Sequence, residues 1–326
     1  MAQDRSGFVV LEGHGAAAHP ELLHWHGNIG EPVALDLAAP LADAPAVVDV
    51  LSWNVAIGRG RLPEVIEKLR AGAFDGETRP DARPLIVLAQ EAYRSDATVP
   101  ARLKSVHHGG KPPRSQRQDV IDCARELNFS VRYAPSMRNG PHNSDRGNAV
   151  LSSVDIAHAH AFPLPHVRQR RVAVAAELSA LPWLTFVSAH LDTRGRLRDS
   201  GMQARYATGR SAQATGLVKR LVDEAGAAQT IIIGADLNTY FATREPLLRE
   251  LVTAGFVRVP HHPLRSHTFH APPLRMLLDH IFMRTLPGRI AEVHVRRLAE
   301  HARDRGRTVF GSDHHPLLLT LVLAPG

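Results

Sequence analysis

The segment Gly311-Ser312-Asp313-His314-His315-Pro316-Leu317 hands a short polar loop over to an apolar run at residues 316–323. An acid followed by two imidazoles at the entrance of a strand puts acid/base and metal-ligating groups on a sheet edge. A rigid scaffold can hold them there and still leave them open to a substrate. By itself the segment is equally well a pH-sensitive surface loop in a chain with 20 histidines. The two readings part on whether other strand ends supply partners.

Working back from that segment, residues 47–53 have the pattern of a strand ending at Asn54, and a helix starts at Pro63 with Val65, Ile66 and Leu69 on one face. Residues 84–89 are a continuous apolar run, as in a buried strand, and end in Gln90-Glu91. Residues 94–118 are polar and basic, with Gly109-Gly110 and Pro112-Pro113, which predicts a loop or lid. A short helix near 119–127, a strand at 129–134 and a polar loop at 136–146 lead into Gly147-Asn148-Ala149-Val150-Leu151-Ser152. Strands at 172–178 and 184–189 follow, the second stopping at His190-Leu191-Asp192. A helix over 203–224 is expected to bury Tyr206, Ala214, Leu217, Val218, Leu221 and Val222 and to turn its arginines outward. The strand 230–233 ends in Gly234-Ala235-Asp236-Leu237-Asn238, a helix over 244–254 closes at Gly255, and strands at 277–282 (with Asp279) and 290–295 complete the series. Roughly ten strands and four helices, without strict alternation, predict an α/β protein of two packed sheets covered by helices. Residues 1–45, rich in Ala, Pro, Gly and His, are expected to form an N-terminal arm to a domain spanning 46–326.

Composition narrows the functional class. With 44% hydrophobic and 22% charged residues, the chain has the make-up of a soluble globular protein. It has no apolar run of about 18 residues and no basic-then-apolar leader, so neither a membrane span nor a secretory signal is expected, and a cytoplasmic location follows. A lone cysteine, Cys123, excludes an internal disulfide and a cysteine-based zinc site. The net charge of +7 points to an anionic partner. That charge is unevenly spread: residues 1–45 hold one Arg against six acids, whereas residues 194–220 hold six Arg and one Lys against a single acid.

Six strand ends therefore carry Asn54, Glu91, His190, Asp236 with Asn238, Asp279, and Asp313 with His314. Singly, such residues usually cap or turn the chain. As an ordered set, Trp53-Asn54, Gln90-Glu91, Gly147-Asn148-Ala149-Val150-Leu151-Ser152, Ala189-His190-Leu191-Asp192, Gly234-Ala235-Asp236-Leu237-Asn238, Leu278-Asp279-His280-Ile281 and Ser312-Asp313-His314 resemble the endonuclease/exonuclease/phosphatase (DNase I-like) superfamily. The resemblance covers about residues 47–323. It implies a four-layer α/β/β/α sandwich of two mixed sheets and Mg²⁺-dependent hydrolysis of phosphate esters, with Mn²⁺ able to substitute.

By that resemblance Asn54 and Glu91 hold the ion, with Asp313 at a second or migrating position. A hard cation that keeps several waters needs few protein oxygens. Asp236 orients or deprotonates the attacking water, and Asn238 fixes that water or a phosphate oxygen. Asp279 sets the tautomer of His314, His190 donates to a non-bridging oxygen or assists the leaving group, and Asn148 with Arg146 contacts the phosphate. Asp236 and His314 both remain candidates for the base. His261, His262, His267, His270, His280 and His315 are read as surface or packing histidines, and Tyr93 and Phe269 as packing aromatics.

Members acting on abasic DNA usually carry Tyr where this chain has His190 and an aromatic where it has Met276, which argues against that substrate. His190 resembles instead the nonspecific nuclease, sphingomyelinase, inositol-phosphatase and tyrosyl-DNA phosphodiesterase branches. The basic field at 194–220 favours a nucleic acid or another polyanionic phosphodiester. A phospholipid or sphingomyelin phosphodiesterase or inositol-phosphate phosphatase is the alternative. A catalytically silent phosphate-binding module is a third reading, and the filled core positions speak against it. The sequence sets no oligomeric state.

Overall fold

The computed structural model describes residues 8–10, 27–41, 43–100, 117–139, 142–167, 169–193, 202–225, 229–240, 242–261, 267–301 and 308–325. In chain order these residues form β1 (Phe8–Val10), β2 (Val33–Leu35), β3 (Val47–Asn54), α1 (Leu62–Arg70), β4 (Leu85–Ser95), α2 (Val120–Leu127), β5 (Ser130–Arg138), β6 (Ser144–Ser152), β7 (Ile156–Pro163), β8 (Val172–Leu178) and β9 (Leu181–His190). Then come α3 (Met202–Ala225), β10 (Thr230–Asp236), α4 (Leu247–Thr253), β11 (Val257–Val259), β12 (Phe269–Ala271), β13 (Leu274–Met276), β14 (Asp279–Arg284), β15 (Ile290–Arg297) and β16 (Leu317–Leu323). One seven-stranded sheet has the order β15-β16-β3-β4-β6-β5-β2, the other β1-β7-β8-β9-β10-β14-β11, and β12-β13 is a separate hairpin. Both sheets are mixed, with parallel pairs β3/β4 in the first and β9/β10 and β1/β7 in the second.

Period-two alternation builds the layers. In β3, Val48 and Val50 join Leu184 and Phe186 of β9 and Ile232 of β10 in the apolar cluster shared by the two sheets. Their alternates Leu51 and Trp53 pack on Val65, Ile66 and Leu69 of α1 and on Val120 and Ala124 of α2. In β10, Ile231 and Ile233 face Leu217 and Leu221 of α3 and Leu247 and Leu251 of α4. Helices thus cover the outer face of each sheet, giving the four-layer α/β/β/α sandwich. Helix α1 carries Pro near its start, and the Asp119 side chain caps α2 by accepting from Ile121 N at 2.8 Å. Directly beneath the strand ends the sheets approach so closely that a Cβ on Gly234 would lie 2.6 Å from Ser52 Oγ and 2.8 Å from Leu88 Cδ1.

Several elements differ from the sequence-based expectation. Strand β4 continues to Ser95, and the stretch expected as a loop at 136–146 is largely the ends of β5 and β6. The polar residues there are tolerated because Arg94 and Asp145 pair within the protein at 2.5 Å, and the Tyr133 hydroxyl donates to Asp145 at 2.7 Å. Strand β7, not anticipated, places Ala159 and Ala161 inward by alternation, a weak signal in residues of low strand propensity. On α3, Arg210 does not face out: it is 1% exposed and bridges both Glu245 oxygens at 3.0 Å. The side chains of Arg194, Arg196, Arg198, Arg205 and Tyr206, as well as His262, lie outside the described residues, as does most of the lid expected at 94–118. Two short edge strands of the sheets, β1 and β2, come from the expected arm.

Candidate active site

Register assembles the site. Asp236 ends β10 paired with His190 of β9 on one side and Asp279 of β14 on the other, so three ionisable side chains emerge side by side from adjacent strands. Asp236 is in phase with Ile232 and Gly234, Asp279 with Ile281, and His190 with Phe186. All three point into the space between the sheets at its open end. On the facing sheet Asn54 is in phase with Val48 and Val50 and meets them across the gap. Its Nδ2 donates to Asp236 Oδ2 at 2.9 Å, while its Oδ1 accepts from Ala56 N at 2.9 Å.

Asp236 Oδ2 is the focus of the cluster. His190 Nε2 lies 3.4 Å from it and His314 Nε2 3.9 Å, and the other oxygen, Oδ1, accepts from Asn238 N at 3.0 Å. The Asn238 side chain is placed by donation to Leu191 O at 3.0 Å and lies 3.1 Å from His190 Nε2. His314 Nδ1 sits 2.8 Å from Asp279 Oδ2, which directs Nε2 toward Asp236. The loop bearing His314 is tied down by Ser312, whose hydroxyl donates to Asn54 O at 2.7 Å and accepts from His314 N at 3.0 Å. Trp53 Nε1 adds a bond to His314 O at 2.8 Å. Phe269 packs edge-on against the His314 ring, with centroids 5.1 Å apart.

Burial sets the charge states. Asp236 is 2% exposed, and burial, with the Asp279 carboxylate beside it, raises its carboxyl to about 7. Burial alone would lower the His314 imidazole, but Asp279, Asp236 and Asp313 outweigh it and raise the group to about 10. Burial drives His190 well below the usual imidazole range, and the Arg171 charge adds to that. The cluster therefore holds a cationic His314, a neutral His190 and a carboxyl that titrates near neutrality.

Glu91 reaches the site by a different route. Between Ala89/Ala149 and Ala92/Gly147 the β4/β6 register slips, so that Gln90 and Glu91 together oppose Asn148, and Glu91 has φ +51°. Gln90 stays in the gap between the sheets, donating to Gly234 O at 3.1 Å. Glu91 then lines a small pocket with Arg146, Asn148, Arg171 and His190. Asn148 is held by donation to Val172 O at 2.5 Å. Asp313 lies toward the rim and pairs with Arg59 at 3.7 Å. Two contributors were not anticipated. Thr268 Oγ1 accepts from both Leu278 N and Asp279 N, at 3.0 and 2.9 Å. Arg171 is buried at the pocket and 3.6 Å from Asp192. Nothing in the sequence separates this arginine from its neighbours. Of the other histidines, His315 is 1% exposed and bonded by Arg297 and Leu298 O.

The donor set fits a hard divalent cation. Donor atoms of Asp236, Asp279 and His314 fall within 4.8 Å of one another, but His314 Nδ1 and Asp279 Oδ2 are engaged with each other. Oxygen remains to spare: Asp279 Oδ1 is buried without a hydrogen-bond partner among the described residues, the Asn54 carbonyl keeps a second lone pair, and Glu91 opens onto the pocket. Carboxylate and amide oxygens of this kind suit Mg²⁺ or Mn²⁺ and not a thiolate-seeking ion.

The two-sheet sandwich thus gathers carboxylates, amides and a carboxylate-bound imidazole at one end. The chain belongs to the Endonuclease/Exonuclease/phosphatase family, whose sequence model matches residues 51–314. No curated protein matches the sequence. Solved structures share the fold at low identity. An endonuclease/exonuclease/phosphatase from Beutenbergia cavernae is 17% identical with a TM-score of 0.58, over 86% of this chain and 72% of that one. The human Nocturnin catalytic domain, solved with a bound sulfate anion, is 16% identical with a TM-score of 0.55, over 90% and 98% of the two chains. A Neisseria 3′ phosphatase bound to a product DNA hairpin is 16% identical with a TM-score of 0.52, over 83% and 98%. Among the described residues no helix is long and apolar enough to cross a membrane.

Proposed function

We propose that the protein is a divalent-metal-dependent phosphodiesterase acting on nucleic acid, with Asp236 as the general base. The observation that carries this reading is the convergence of Asn54, His190 and His314 on one buried oxygen of Asp236. A base must be free to take a proton at working pH. Asp236, raised to about 7, is poised for that, whereas His314, raised to about 10, is held cationic. Asn54 and Glu91, with Asp313 as a further candidate ligand, would hold Mg²⁺ or Mn²⁺, which when bound would supply charge neutralisation at the phosphate. The His314 imidazolium, oriented by Asp279, hydrogen-bonds a phosphate oxygen through Nε2. Asn238 positions the water that Asp236 deprotonates. His190 and Asn148 contact non-bridging oxygens, and Arg146 stabilises charge from the pocket wall.

Support for a nucleic-acid substrate comes from Arg146 and Arg171 in the pocket lining and from the DNA product in the Neisseria structure. The test is a substrate panel of plasmid, single-stranded and abasic DNA, RNA, sphingomyelin and phosphoinositides, with Mg²⁺ or Mn²⁺, with EDTA, and with Asp236→Ala. Cleavage of nucleic acid that needs metal and is lost in the variant is expected. Activity that survives EDTA or Asp236→Ala refutes the mechanism. Turnover confined to the lipids refutes the substrate.

A further inference from the structure

Beside Glu91, and outside the cluster around Asp236, three guanidiniums gather from three different loops and strands. Tyr93 is the cross-strand partner of Arg146 in the β4/β6 ladder, so the two side chains leave the sheet together. Arg117 arrives from the segment before α2 and lies over the Tyr93 ring, with its guanidinium carbon 5.5 Å from the centroid. Arg59 comes from the loop that follows Asn54. Gly58, at φ +70°, lets that loop pass so close that a Cβ there would meet Gln118 O at 2.5 Å and the Tyr93 Cβ at 2.6 Å. Three strand-end segments are therefore pressed together around one aromatic ring.

The hydrogen bonds of these arginines fix their position and leave donors over. Arg117 gives one N–H to Ile57 O at 2.6 Å, Arg146 gives one to Asn139 Oδ1 at 2.7 Å, and Arg59 Nε donates to Ala56 O at 3.1 Å. The Nε atoms of Arg117 and Arg146 are buried and have no hydrogen-bond partner among the described residues. The acids at hand are Glu91 and Asp313, the latter 3.7 Å from Arg59. Burial lowers the Arg117 guanidinium, and the charges of Arg59 and Arg146 push the same way. Like charges held together in a partly dehydrated corner are costly, and a polyvalent anion relieves that cost while using the spare donors bidentately.

We infer that Arg59, Arg117 and Arg146 form a subsite for a second phosphate of the substrate, adjacent to the phosphate that is hydrolysed. The inference rests on the phosphodiesterase reading above and narrows its substrate to molecules carrying two phosphates within one nucleotide's reach, either the next phosphate of a strand or a terminal phosphomonoester. The corner selects a substrate by its charge next to the scissile bond, and Tyr93 holds the Arg117 fork in place.

Calorimetric titration of the wild-type protein with thymidine 3′,5′-bisphosphate and with thymidine 5′-monophosphate tests the subsite without any turnover. Binding of the bisphosphate tighter by roughly ten-fold or more is expected, from at least one additional charge-assisted contact. That preference is expected to shrink to less than about three-fold in Arg117→Gln and in Arg59→Gln, and to fall between wild type and Arg117→Gln in Arg117→Lys, which keeps the charge but loses the stacked, bidentate fork. Equal affinity of the two nucleotides for the wild-type protein overturns the subsite, as does an unchanged preference in both glutamine variants. Comparing a dinucleotide with a 5′-phosphorylated dinucleotide separates an internal from a terminal phosphate as the ligand. Failure of the phosphodiesterase reading would show separately, as absence of metal-dependent hydrolysis in the substrate panel, whatever the titrations give.

Discussion

Replacing Asp236 by Asn should make the metal-free protein more stable at pH 8 and less stable at pH 4. The carboxyl is raised from an ordinary 3.8 to about 7. A difference of about 3 pH units corresponds to roughly 4 kcal/mol. The folded state holds the proton more tightly than the unfolded one. The residue's contribution is therefore intact below about pH 4 and is lost as pH rises through 7. Asn cannot ionise, so the variant escapes this loss. Its amide oxygen still accepts from Asn54 Nδ2, but its NH₂ then faces Asn238 N, which donates to Asp236 Oδ1 at 3.0 Å in the wild type. Losing that bond costs about 1–2 kcal/mol at every pH. The balance is a gain of about 2–3 kcal/mol at pH 8 and a deficit of about 1–2 kcal/mol at pH 4, so the two stability curves cross between. Urea denaturation in EDTA across this range measures it, and the same variant should lose roughly 10²- to 10⁴-fold in kcat with metal present. A stability difference that does not change with pH would refute the assignment of a dehydrated, proton-sharing carboxylate. Retained kcat would refute its role as base.

Asp279→Asn removes the main group that raises His314, and the imidazole should then titrate far below 10. In the wild type the stability from charged His314 is present below about pH 6.5 and is lost as pH rises through 10, and NMR titration of the ring in both proteins checks the difference. Thr268→Val strands the Leu278 and Asp279 amides that its hydroxyl accepts, for a loss of about 2–4 kcal/mol in urea melts, while Thr268→Ser should stay within about 1 kcal/mol of wild type. Gly234→Ala forces a methyl against Ser52 and Leu88 where the sheets meet and should cost about 1–3 kcal/mol, with a fall in activity because the strand ends part; an unchanged melt would show that the sheets yield there. Glu91→Gln should raise the Mg²⁺ concentration for half-maximal activity by roughly ten-fold or more, and an unchanged metal titration would remove Glu91 from the ion site.

The polar ends of the apolar strands, from Asn54 to His314, were legible in the sequence. In the folded protein Val48, Val50 and Asn54 share one face of β3, and Ile232 and Asp236 share one face of β10. A strand whose apolar residues face a second sheet must carry its terminal polar residue to the same side. The order of those strand ends, with the count of strands and helices, specified two packed sheets and most of the residues at their common end. Less was legible where polar residues continue a strand. Composition reads Ser144-Asp145-Arg146 as a loop, and only the pairing of Asp145 with Arg94 and Tyr133 makes burial of that stretch tolerable.

Sequence by itself determined the inventory: which acids, amides and imidazoles stand at strand ends. Tertiary structure decided what each one is. The slip in register at Gln90-Glu91 lets Glu91 line the pocket while Gln90 beside it bonds to Gly234 O in the gap between the sheets. His314 and His315 are neighbours in the chain, yet one faces Asp279 and the other is held by Arg297 and Leu298. The proton affinity of Asp236 depends on dehydration and on a carboxylate 43 residues away along the chain, brought alongside by the β10/β14 pairing. The arginines around Tyr93 follow the same rule: a charge has meaning in sequence only as a count, and acquires chemistry from the charges and the solvent that folding places around it.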